Sequence, residues 1–99
     1  MTNNIQFVEF YNRSGTAILR DWALRTIYIN PTHVVCLRED DVTNGLLKEG
    51  SLPKQLDDRQ EFTKITLNKG TYGQEITVVG AIGTVQKKLF ETNKILLRG

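Results

Sequence analysis

The clearest stretch of the chain runs from Glu61 to Thr92, where strand, turn, strand and helix patterns follow one another without a break. Thr63, Ile65 and Leu67 alternate with Lys64 and Thr66, the period-two pattern of a strand with one buried face. Asn68 to Gly73 holds two glycines in six residues and predicts a hairpin turn. Gln74 to Val79 then supplies the partner strand, with Ile76 and Val78 set against Glu75, Thr77 and Val79, and Gly80 closes it. Beyond Gly80 the period becomes about 3.6. Ile82, Val85, Leu89 and Phe90 form an apolar stripe, and Thr84, Gln86, Lys87, Lys88 and Glu91 fill the remaining positions. This predicts an amphipathic helix lying on the sheet. Gly83 weakens that helix by roughly 1 kcal/mol relative to alanine, which suggests close backbone packing there. Lys87 and Lys88 are placed near the helix C-terminus, where cations complement the dipole.

The earlier half is less regular. Ile5 to Tyr11 is apolar on both faces and reads as a central strand or one covered by a partner subunit. Asn12 to Thr16 is a turn. Ala17 to Arg25 fits a short helical stripe through Ile18, Leu19, Trp22 and Ala23, and also one face of a strand; the helical excursion is slightly favoured. Thr26 to Asn30 is a strand stopped by Pro31, and His33 to Arg38 is another. From 39 to 60 the leucines have no period and Gly45, Gly50 and Pro53 intervene, which predicts a long irregular loop. The expected fold is a single α+β domain over residues 1–99, an antiparallel sheet of about five strands with the C-terminal amphipathic helix packed on one face.

Composition adds charge polarity to this picture. From Glu39 to Glu61 there are seven acids and three bases, a net of −4, whereas the rest carries ten bases and four acids, a net of +6. The overall +2 of the 99 residues conceals that separation, which suits subunits meeting acidic loop to basic face, or a basic face kept for an anionic partner. No apolar run reaches the roughly 18 residues of a membrane span, and the start shows no secretory pattern. The single cysteine, Cys36, sits in the apolar run Val34 to Leu37 and is expected to be a buried, inert thiol. A cytoplasmic protein is expected.

The order strand, Asn30-Pro31, strand, glycine hairpin and helix, carried by Ile27 to Leu37, Thr63 to Leu67 and Ile76 to Leu89, resembles short FlbD-like bacterial proteins and the first part of LytTR-type domains. The resemblance covers about two thirds of the chain and implies a small transcriptional or flagellar-type regulator. The chain departs from it by the insertions 17–25 and 40–60 and by ending at Gly99 without the basic recognition segment of LytTR-type domains. In general style it also resembles small accessory proteins of bacterial viruses.

Catalytic constellations are sparse. One histidine, His33, and one cysteine supply too few parts for a zinc site or a Cys/His nucleophile, and Asp40-Asp41 and Asp57-Asp58 lack calcium-loop spacing. No catalytic residue, metal or cofactor is assigned. Binding remains. Trp22 flanked by Arg20 and Arg25, and Tyr72 beside Lys69 and Thr71, place aromatics next to cationic donors, a pattern that stacks a base and neutralises a phosphate and equally anchors a protein interface. The expected function is a non-enzymatic, homo-oligomeric binding module of inhibitor or sponge type that sequesters a small anionic, nucleotide-like ligand or a host protein. The alternative is nucleic-acid binding through Lys87, Lys88, Lys94 and Arg98.

Overall fold

The computed structural model describes residues 4–15, 21–48, 59–69 and 72–98, with backbone only at 69, 72 and 91–98. Five strands, β1 (Ile5–Asn12), β2 (Trp22–Ile29), β3 (Val34–Glu39), β4 (Phe62–Lys69) and β5 (Tyr72–Val79), form one sheet in the order β2-β1-β5-β4-β3. Every pairing in it is antiparallel. The described residues also form two α-helices, α1 (Asp41–Lys48) and α2 (Ile82–Arg98). The hairpin expected at 68–73 joins β4 to β5, with Lys69 opposite Tyr72. β1 is an interior strand, as its doubly apolar pattern implies.

β2 and β3 lie on opposite edges of the sheet, yet only Asn30 and the 3-10 turn Pro31–His33 separate Ile29 from Val34. Five residue steps reach at most about 18 Å, whereas four strand spacings in a flat sheet already need about 19 Å. The two ends also lie at opposite ends of the strands, since Ile29 pairs with Ile5 and Val34 with Leu67. The sheet therefore coils strongly, which brings Ile29 into one cluster with Ile65 and Leu67 and rests the Pro31–His33 turn on β4 and α2.

The concave face holds the main core: Phe7, Ile29, Ile65, Ile76 and Val78 are buried with Val85 and Leu89 of α2. The convex face holds a smaller one, in which Phe10, Phe62 and Leu47 of α1 are buried and Trp22, Leu46 and Val79 pack against them. Gly80 turns the chain from β5 into α2 at φ +136°, where an added Cβ would also meet Val85 Cγ2 at 3.3 Å.

Four expectations are corrected. Residues 22–25 are strand, because Trp22 stacks on Phe10 across the β1–β2 ladder and the cross-strand partners decide an ambiguous pattern; 17–20 lie outside the described residues. Residues 41–48 are helix α1, nucleated by Asp40, whose carboxylate accepts from the Thr43 amide and whose carbonyl accepts from the Asn44 amide; 49–58 lie outside the described residues. Cys36 is exposed, because β3 is an edge strand and its convex side is uncovered there. Nothing approaches within 4 Å of a Cβ built on Gly83, so close packing does not explain it. Gly83→Ala is accordingly expected to stabilise the fold by about 0.5–1 kcal/mol, read as a raised midpoint in thermal denaturation.

Candidate binding site

β1 and β5 pair only at Glu9 with Val78 and Phe10 with Thr77. Below that point β5 ends, the chain swings away at Gly80, and β1 continues towards Ile5 with no further strand partner on this side among the described residues. The parting leaves a cleft of about 530 Å³ between β1 and the first turns of α2, lined by Gln6, Phe7, Val8, Val79, Thr84, Val85 and Lys88. Four of the seven are apolar side chains. Lys88 reaches across from α2, donating to the Gln6 carbonyl and holding its ammonium 4.7 Å from the centre of the Phe7 ring.

The same face of β1 carries a second stacked cation. Phe7, Glu9 and Tyr11 are alternate residues and share that face. Arg25 stands opposite Glu9 in the β1–β2 register; its Nε donates to Glu9 Oε1 at 2.7 Å, and its guanidinium carbon lies 3.9 Å over the Tyr11 ring. Glu9 is nearly inaccessible while the Arg25 side chain is 56% exposed, so a buried carboxylate holds a surface guanidinium. The Glu9 bond raises the Arg25 pKa above its ordinary value, against a smaller opposing effect of burial.

The other residues singled out in the sequence are distributed differently. Trp22 is half-buried on the convex face with its ring stacked on Phe10 at 4.8 Å, so it serves packing, away from Arg25 on the concave face. Arg20 and Thr71 lie outside the described residues, as do the side chains of Lys69, Tyr72, Lys94 and Arg98. Lys87 and Lys88 are exposed. They fall in the middle of a helix that runs on to Arg98, so pairing with the C-terminal dipole does not account for them. As neighbours on a helix they point about 100° apart, and Lys88 turns into the cleft. The cleft escaped sequence reading because its walls lie some 75 residues apart along the chain, Gln6–Val8 and Thr84–Lys88.

On the convex side, Asp40 is a second polar centre. It is buried, and its carboxylate accepts from Thr77 Oγ1 at 2.7 Å, Thr43 Oγ1 at 2.8 Å and the Thr43 amide at 3.0 Å. Burial pushes its pKa up, and these donors, with the nearby Lys64 charge, outweigh that and hold it below the ordinary value. Its geometry ties α1 to β5 and is structural. Among the described residues no three His, Cys, Asp or Glu side chains gather as a metal site, and no helix is long and apolar enough to cross a membrane. No family model, curated protein or solved structure matches the chain.

Proposed function

We propose that this protein is a non-enzymatic binding module that self-associates and sequesters a small anionic, nucleotide-like ligand, with the cleft between β1 and α2 as its seat. The observation that carries the proposal is the cleft itself, walled by Phe7, Val8, Val79 and Val85 and entered by the Lys88 ammonium. Small-molecule sites are clefts of roughly 300–1,000 Å³ with mostly apolar linings and a few placed polar groups. The apolar walls suit a base, and Lys88 with the Thr84 hydroxyl suits a phosphate. The first turn of α2 has no acidic residue, so the positive end of the helix dipole adds to the same mouth. One amide, one hydroxyl and one ammonium form a recognition set. Self-association belongs to the same proposal: β2 and β3 are sheet edges, and Leu24 and Tyr28 on one and Val35 on the other are exposed.

Isothermal titration with ADP tests the site. A charge-assisted contact contributes about 1.5–3 kcal/mol, so Lys88→Met is expected to weaken binding roughly ten- to hundredfold while Lys88→Arg retains most of it. No heat from AMP or ADP with the native protein would remove the cleft as an anion site.

A further inference from the structure

Three arginines with a described geometry make ion pairs on this surface, and they use their guanidinium groups differently. Arg13 engages Asp21 through both Nε and Nη2, each at 3.0 Å. Arg38 uses Nη2 on Glu75. Arg25 commits Nε to Glu9 and its flat face to Tyr11. Among the described residues the ion pair takes Nε alone, and the Tyr11 side chain is a second hydrogen-bond partner of the guanidinium.

That arrangement is costly if its role is only to hold two strands together. Glu9 is 8% exposed in its side chain, and burying a carboxylate against an exposed partner generally stabilises no more than an apolar pair of the same size would. It is, however, the arrangement that fixes a guanidinium in one orientation on an exposed surface, with N–H donors beyond those that Glu9 and Tyr11 engage, and a guanidinium held so suits a phosphate. Four residues of strand, about 13 Å at the usual rise, separate Tyr11 under Arg25 from Phe7 under Lys88 on the same face of β1.

We propose that Arg25, held by Glu9 and Tyr11, is a second anion contact for the ligand of the β1–α2 cleft, and that the ligand is therefore an elongated polyanion of the nucleoside di- or triphosphate class. The inference rests on the cleft being the binding site. A base in the apolar cleft places the first phosphate at Lys88, and only a longer phosphate chain extends to Arg25. Glu9 is a positioning residue: it touches the guanidinium and leaves the ligand to Arg25.

The test is isothermal titration of the full chain with AMP, ADP and ATP, for the native protein, Arg25→Lys and Glu9→Gln, with thermal denaturation of each. Arg25→Lys keeps the charge and removes the fork, and Glu9→Gln keeps the shape and loosens the hold on the guanidinium by removing the charge from that contact. The native protein is expected to bind ADP or ATP at least tenfold more tightly than AMP. Both variants should lose that gain, leave AMP affinity within twofold of native and melt close to the native midpoint. Equal affinities of the native protein for AMP and ATP would overturn the inference. So would Arg25→Lys leaving ATP affinity unchanged, or weakening AMP and ATP alike, and in each of these outcomes the cleft stands as the site where Lys88→Met still weakens AMP binding. Failure of all three nucleotides to bind the native protein overturns the cleft reading and this inference with it.

Discussion

Phe62→Ala is expected to remove about 3–5 kcal/mol of stability, a large share of the roughly 5–15 kcal/mol that holds a domain together. Phe62 is 1% exposed, and its ring lies 5.2 Å from Phe10, which in turn stacks on Trp22. Leu46 and Leu47 close this cluster from α1. The Phe62 backbone is also the hinge by which α1 is fastened: its amide donates to Asn44 Oδ1 at 2.9 Å, and its carbonyl accepts from the Asp40 amide at 3.0 Å. The truncation opens a cavity where one strand, one helix and two aromatic rings meet, so little can collapse into it. Urea denaturation followed by the fluorescence of Trp22, the only tryptophan, reports both effects. The midpoint should fall sharply, and the native emission should shift to the red as Trp22 is wetted. A loss below about 1 kcal/mol would mean that the convex cluster contributes little to stability.

The second large effect concerns Asp40 and acid. Asp40→Ala removes a helix cap, worth about 0.5–2 kcal/mol, and leaves buried donors of Thr43 and Thr77 unsatisfied, at about 1–3 kcal/mol. A combined loss of about 2–4 kcal/mol is expected from these two effects. The native group also makes the fold sensitive to pH. Its folded pKa lies below the ordinary aspartate value of about 3.9, so its contribution is fully present above that value and is lost as pH falls through the depressed folded pKa. Denaturation midpoints measured from pH 6 down to pH 2 should fall for the native protein and fall less for Asp40→Asn, which has no charge to lose. Parallel curves for the two proteins would show that other carboxylates govern the acid response.

The residues that could be read correctly from the sequence are those whose pattern is local. Ile65 and Leu67, then Ile76 and Val78, alternate because each strand buries one face, and Val85 and Leu89 recur at helical spacing because α2 buries one stripe. What escaped was decided at a distance. Trp22 fits a helical stripe with Ala23 as well as a strand face with Leu24 until Phe10 and β1 are beside it. α1 buries only Thr43 and Leu47, too few to show a period around Asn44 and Gly45, although Asp40 three residues before Thr43 is a capping signal. Cys36 lies in an apolar run and is exposed because, among the described residues, β3 is an edge strand with its convex side uncovered there. Of the candidate binding residues, Arg25 and Lys88 do sit on aromatics, but on Tyr11 and Phe7, partners set by strand register and by the path of α2 and invisible in the flanking sequence.

Native mass spectrometry of the protein purified from cells tests the sequestering role most directly, because it weighs the subunits and any retained small molecule together. The account predicts a defined homo-oligomer carrying additional mass of nucleotide size, released when the protein is denatured and much reduced in Lys88→Met. A bare monomer that also takes up no added AMP, ADP or ATP would contradict it.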